Sequence, residues 1–467
     1  MKIFLLLLFL ITGSLYASQK PNIVFILADD MNRDSWGVYG NKDCKTPNID
    51  RIASEGLVFQ NLYASVAMCA PFRQELYSGR SPWRTGTLAN HSKSTADTKS
   101  LPHYLKPLGY RVALLGKSHV GPQQAYPFEK LKGNSKDNDA NDQFLASSAK
   151  FIDSATSEQK PFCLFIASSD SHAPFTTGDP SQYSAEALTV PTYWIDTPVM
   201  REAMVQYYAE VSNFDSLVGR IEKLLKEKSL WENTIFMVCS EQGSQFPFSK
   251  WTCYNTGLHS GMVAHWPGAK TKQVDQLIAL ADIAPTLAEA ANYTAQENDF
   301  DGLSFLKAIQ GDKKETRPFV YGAFTNCNII DNRERIFPIR VIRNKEFTLI
   351  YNPNHQGITS NVTLTSALEG KELKKKQNQI DIASSWVALA NKNKKYQSRV
   401  HQLNKRPLYE LYNRKLDPYE LNNQIDNPEY KAQTEALKSA LQKQLQTLGD
   451  GDPIDTEKSL VKNKKRK

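Results

Sequence analysis

The stretch Cys69-Ala70-Pro71-Phe72-Arg73 sets a sulfur nucleophile close to a guanidinium, and Gln74-Glu75-Leu76-Tyr77-Ser78-Gly79-Arg80 follows directly. Pro71 suits the first turn of a helix, because it has no N–H to lose there and its φ is already helical. Gly79 can take the left-handed conformation that closes such a helix. The expected helix leaves Cys69 just ahead of its N-terminus, where the positive end of the dipole and Arg73 together favour an anion.

Further ionisable residues follow apolar runs. Asn22 to Ala28 is continuously apolar after its first residue and ends in Asp29-Asp30; Arg111 to Leu115 leads into Gly116-Lys117-Ser118-His119. Phe162 to Ala167 leads into Ser168-Ser169-Asp170-Ser171-His172, and Ile235 to Cys239 into Ser240-Glu241-Gln242-Gly243. Two adjacent carboxylates at the end of a buried strand are costly without a cation beside them, and a divalent ion with oxygen ligands is the natural partner.

Such runs read as fully buried strands. Their polar ends predict a site outside the carboxyl edge of one sheet. Helical stretches such as Met200 to Lys228 supply the crossovers, so the fold class is α/β with a mainly parallel or mixed sheet. Thr46 to Gly56 reads as a turn and a short helix, Asp282 opens another helix, and a short one follows Asp301-Gly302-Leu303-Ser304. From about Arg317 to Asn352 the residues alternate as antiparallel strands do. Lys371 to Lys405 is Lys-rich and reads as surface helix, Pro407 to Tyr412 as strand, and Tyr430 to Leu448 as an amphipathic helix. The division expected is 1–17 signal peptide, 18–315 catalytic α/β domain, 316–450 smaller α+β subdomain and 451–467 basic disordered tail.

Composition narrows the class. The chain has 467 residues, 40% apolar and 23% charged, as ordinary globular proteins have. Lys2, the apolar run Ile3 to Ile11 and Ser14-Leu15-Tyr16-Ala17 read as a secretory signal, so the mature protein is expected in the periplasm or outside the cell. No cysteine follows that run to take a lipid, and no later run is long enough to span a membrane. Six cysteines do not make a disulfide scaffold; Cys163 and Cys239 sit inside strand-like runs, and the rest leave room for one pair with its members open. The formal charge of +8 is uneven, since Lys458, Lys462, Lys464, Lys465, Arg466 and Lys467 crowd the end. That suits a solvated tail or an anionic polymer, and without interleaved aromatics it does not argue for nucleic acid. Asn292-Tyr293-Thr294 and Asn361-Val362-Thr363 match glycosylation acceptors, triplets common by chance.

The Cys-x-Pro-x-Arg pattern with its Leu-x-x-Gly-Arg tail closely resembles the signature of the type I sulfatases, whose Cys is oxidised to formylglycine. The resemblance covers nearly the whole mature chain: Asp29-Asp30, Gly116-Lys117-Ser118-His119, His172-Ala173-Pro174, Lys250 to Gly268, and Glu410 to Asn423. Ser240 to Phe248 and Arg406-Pro407-Leu408-Tyr409 are most similar to the branch of heparan sulfamidase-like enzymes and bacterial polysaccharide sulfatases, some acting on ulvan. The resemblance implies an alkaline-phosphatase-like large mixed sheet flanked by helices, with a smaller C-terminal α+β subdomain.

It also implies roles. Cys69 would become formylglycine through a dedicated maturation enzyme, its hydrate giving one hydroxyl to attack sulfur and a second to expel sulfate. Asp29, Asp30, Glu241 and Gln242, with Cys69 itself, would hold one Ca2+. Arg73 would hold the diol, while Lys117 and Lys250 would clamp the sulfate. His119 fits the base for the second hydroxyl and His172 the group that protonates the departing sugar oxygen. His91, after Asn90, is expected to border the site as a substrate contact. Glu241-Gln242 departs from the family's usual Asp followed by Asn or His, and His259 stands where Arg is common. The reading is a secreted sulfatase of a sulfated polysaccharide or its oligosaccharides, algal or glycosaminoglycan. Its alternatives are an N-sulfoglucosamine sulfohydrolase, a phosphatase or phosphonate hydrolase of the same superfamily, and a catalytically dead carbohydrate-binding protein.

Overall fold

A computed structural model describes residues 20–133, 140–326, 333–357, 359, 381–450 and 461–463. The expected signal peptide, Cys327, the Asn361 triplet and Lys371 to Ile380 lie outside the described residues.

The apolar runs form the middle of a nine-stranded mixed sheet. Its strands are β1 (Asn22–Leu27), β2 (Leu57–Tyr63), β3 (Arg111–Gly116), β4 (Glu129–Leu131), β5 (Phe162–Ala167), β6 (Thr234–Cys239), β7 (His259–His265), β8 (Gln273–Val274) and β9 (Ile278–Ala279). The order is β4-β3-β5-β1-β6-β7-β2-β8, with β9 also on β2. β1 is parallel to both neighbours, Ile23 lying opposite Cys163 on one side and Ile235 on the other. Every residue of β1, β5 and β6 is buried, as strands covered on both faces require. Helices cover the sheet, among them α1 (Pro47–Glu55), α2 (Cys69–Ser78) and the long crossover Pro198–Glu227.

Strand direction explains where the chemistry collects. β3, β5, β1 and β6 are parallel and therefore end on one edge. β7 is antiparallel to β6 and to β2. It therefore begins on that same edge, and the loop from β6 to β7 crosses it. β2 ends there too and hands the chain to α2. The two strands β2 and β7, which the sequence reading did not single out, make the sheet mixed.

A second sheet orders β10 (Val320–Asn326), β11 (Arg333–Arg343), β12 (Phe347–Tyr351) and β13 (Tyr409–Asn413) antiparallel. The helix Lys431–Thr447 buries Leu437, Leu441 and Leu445 in one cluster with Ile342, Leu349 and Leu411. Of the expected basic tail, Val461–Asn463 forms β14, paired with Arg333–Arg335; the rest lies outside the described residues. Helices Ile382–Ala390 and Lys394–Asn404 fill part of the Lys-rich stretch. The five described cysteines are free and buried, so the room left for a disulfide closes among them.

Candidate active site

The helix α2 starts one step earlier than expected. Met68 is its N-cap in extended conformation, and Phe72 N–H donates to Met68 O at 3.0 Å. Cys69 is thus the first helical residue rather than the residue ahead of the helix, and Pro71 sits further inside the first turn, where no intrahelical donor is needed. Gly79 closes the helix at φ 65, as expected.

Cys69 Sγ lies 3.5 Å from Asp29 Oδ1 and 3.5 Å from Asp30 Oδ1. Lys250 Nζ approaches it at 3.1 Å and Gln242 Nε2 at 3.6 Å. Asp29, Asp30, Glu241 and Gln242 are all fully buried, and Cys69 is 2% exposed. Burial, with Asp30 and Glu241 beside it, pushes the thiol well above its ordinary range, so the unmodified cysteine is a poor nucleophile.

Each carboxylate meets a cation. Lys117 Nζ bonds Asp29 Oδ2; Lys250 Nζ donates to Asp30 Oδ2 at 2.6 Å. Arg73 Nε stands 2.7 Å from Glu241 Oε1 as an ion pair without hydrogen-bond geometry, and its Nη1 donates to Lys117 O at 2.9 Å. Burial raises Asp29, but Lys117, Arg73 and His172 outweigh it and hold its pKa well below the carboxylate range. For Glu241 burial wins, with Asp29 adding to it against Arg73, and the group is pushed up. Such a cluster tolerates burial only because its charges are paired.

The same atoms suit a hard cation. Ligand atoms of Asp29, Asp30, Cys69 and Glu241 lie within 4.8 Å of one another. Gln242 turns its Nε2 toward Asp30, Glu241 and Cys69 and leaves its Oε1 buried without a hydrogen-bond partner, so a half-turn of the amide would add a fifth ligand to the set. The residues fit an ion of the calcium type, and the extra methylene of Glu241 does not take its carboxylate out of the cluster.

The histidines divide. His172 Nδ1 lies 2.6 Å from Ala173 O, an acceptor only, so Nδ1 carries the proton and Nε2 turns its lone pair inward. That Nε2 is 3.6 Å from Asp30 Oδ2 and accepts from Gln245 Nε2 at 3.2 Å. His119, at φ 48, bonds His91 through Nε2 and Nδ1 at 2.8 Å, while its own Nδ1 is buried and unpartnered. Burial, then Lys117 and Arg73, push His119 down to about 3, so it is a neutral base. His91 therefore joins the site, bonded to His119. His259 begins β7 with its ring stacked on Tyr63 at 4.5 Å and bonds Gln60 O, which makes it a packing residue.

Sequence reading missed Gln245. It is the one polar residue between Ser244 and the aromatic Phe246-Pro247-Phe248, a signal visible but without a role until His172 is placed beside it. The loop that carries it is strained: Phe248 and Trp251 hold φ 74 and φ 64, conformations bulky residues adopt only when their surroundings force them.

With this geometry, comparisons with known proteins are direct. The Sulfatase family model matches residues 21–293. An ulvan-active sulfatase of Formosa agariphila is 32% identical over 453 residues, covering 94% of this chain and 84% of that protein. The human N-sulphoglucosamine sulphohydrolase is 24% identical, over 93% of this chain and 92% of its own. A solved structure of a protein with its substrate D-glucosamine-2-N,6-O-disulfate superposes with TM-score 0.70 at 18% identity, covering 94% of this chain and 100% of that one. The phosphonate monoester hydrolase of Agrobacterium radiobacter superposes with TM-score 0.68 at 17% identity, covering 96% and 100%. At such identities the two superpositions speak for the fold.

Proposed function

We propose, from the premise that this chain belongs to the sulfatase family and is a sulfuric ester hydrolase, that it is exported and removes sulfate from a sulfated polysaccharide or its oligosaccharides. The observation that carries the reading is Cys69 Sγ, buried 3.5 Å from Asp29 and Asp30 and 3.1 Å from Lys250. Sγ marks where the oxygens of an oxidised Cys69 would stand. As a formylglycine hydrate, Cys69 would offer one hydroxyl for attack and a second for release.

Asp29, Asp30, Glu241 and Gln242 would hold a calcium ion, which would supply positive charge against the sulfate oxygens and lower the pKa of the hydrate. Lys117 and Lys250 reach the same spot on long stems, and each can exchange its carboxylate for a sulfate oxygen. Arg73 holds Glu241 and the Lys117 carbonyl and so fixes the floor of the site. His119, neutral, can take a proton at its unpartnered Nδ1. His172 can carry a proton on Nε2 toward the departing sugar oxygen, with Asp30 close enough to stabilise the charged ring.

The ulvan-active and N-sulphoglucosamine relatives support a carbohydrate substrate, and the export reading and net charge of +8 suit an anionic polymer. The two candidate metal groupings among the described residues share Asp30 and Cys69, which supports one ion rather than a two-metal phosphatase centre. The test is the mass of the Cys69 peptide from protein made in a host with the maturation enzyme. An aldehyde or its hydrate is expected, together with loss of sulfate release in Cys69→Ala on a panel of ulvan and glycosaminoglycan oligosaccharides. An unmodified thiol, in a host that converts a control sulfatase, overturns the mechanism.

A further inference from the structure

A second cationic site lies against the segment that carries Lys250. A cavity of about 530 Å³ is lined in part by Arg399, Lys405, Arg406 and Glu410, and none of the described residues on its wall belongs to the catalytic cluster. That volume falls within the roughly 300–1,000 Å³ of small-ligand sites.

Arg406 is what makes this a built site. It is 3% exposed, yet its Nε and Nη1 are buried without hydrogen-bond partners. A buried guanidinium with unmade donors is costly, and native proteins pair nearly all such donors with protein groups, ordered water or a bound ion. Glu410, the carboxylate on the same wall, is already engaged by neutral donors. Its Oε2 accepts from Tyr254 OH at 2.9 Å and Tyr412 OH at 2.6 Å, and its Oε1 from Asn352 Nδ2 at 2.8 Å. Arg399 lies over Phe248 at 5.0 Å and Arg406 over Tyr254 at 4.7 Å, while those two rings stack at 4.2 Å. Two guanidinium groups thus rest on one aromatic pair, with the exposed Lys405 adding a third positive charge at the same cavity.

We propose that this cavity binds a tetrahedral sulfate-type oxyanion through Arg406 and Arg399. The guanidinium fork matches such an anion, which would take up the free donors of Arg406. The ion is either free sulfate or a sulfate group borne on a sugar, and the inference stands independently of the chemistry assigned to Cys69.

Crystals of the full chain soaked in sodium selenate test it through the anomalous signal of selenium. A peak within hydrogen-bond distance of Arg406 is expected; a peak confined to the Cys69–Lys250 cluster, or none, overturns the proposal. In solution, selenate should raise the melting temperature above chloride of matched ionic strength. The double variant Arg399→Gln, Lys405→Gln, which leaves buried Arg406 in place, should lose most of the gain that this cavity supplies; an undiminished gain overturns the proposal. A sulfated oligosaccharide that displaces the selenate peak from Arg406 identifies the sugar-borne group, and one that fails to displace it identifies the free ion; the oxyanion assignment stands in both cases.

Discussion

His172 separates two kinds of substrate. Its Nε2 faces Asp30 and Gln245, and its proposed work is to protonate a leaving oxygen. A sugar alkoxide needs that proton, whereas an activated phenolate does not. His172→Asn should therefore slow release of sulfate from carbohydrates by about 10²–10⁴-fold while sparing nitrophenyl sulfate by comparison. Parallel kcat measurements on the two substrates check this, and equal losses would remove His172 from the acid role. Among single residues the sequence was most legible where chemistry dictated the type: Cys69, Arg73, the paired Asp29-Asp30 and the two lysines all meet in one cluster. Gln245 was illegible, because an amide has no chemistry of its own and takes its meaning from the imidazole it touches.

At the scale of elements, two residues set the position of the site. Gly116 ends β3 at φ 84, and a Cβ there would lie 2.2 Å from Ala167 O of β5. Gly116→Ala must push the two central strands apart next to Lys117. It should lower stability by more than about 2 kcal/mol and reduce activity through the displaced lysine, read by denaturant melts and kcat. Glu75, inside α2, accepts from Ser65 Oγ at 2.5 Å and Ser65 N at 3.1 Å. Burial raises its pKa from 4.5 to about 8, so the folded chain keeps a proton that the unfolded chain releases. Its stabilising contribution is full below the unfolded value and is lost as pH rises through about 8, a change on the order of 5 kcal/mol. Glu75→Gln should flatten that decline in melts taken across the interval; an unchanged slope would assign the decline to other groups. The buried strands were legible from their unbroken apolar runs. The start of α2 was misread by one residue, because Pro71 signals a first turn but not which position within it. β2 and β7 went unread, being shorter in hydrophobic signal and dependent on their partners for direction.

For the whole molecule, the proposed calcium site among the buried carboxylates ties stability to the ion. Chelation should abolish activity and lower the melting temperature, and calcium should restore both; an ion at a hundredfold its Kd contributes about 2.7 kcal/mol. Activity undiminished by exhaustive chelation would remove the ion from the mechanism. The α/β class and the second antiparallel sheet were legible from run lengths and alternation, but their junction was not. It is a shared apolar core, in which Phe324, Ile339, Val341 and Tyr412 cluster with residues of the first sheet, tied by bonds such as Tyr254 OH to Glu410, and no local pattern announces either.

The same assembly sets a deadline. Cys69 is 2% exposed, walled in by side chains that arrive from β1, β3, β6 and the loop beyond, the last of them Lys250. Another protein can grip this thiol only while the chain is still open. On the proposed formylglycine chemistry, the conversion of Cys69 is therefore in a race with folding, run on the still-open polypeptide. A batch of this protein that folds first would then stay inert, however much maturation enzyme it meets later.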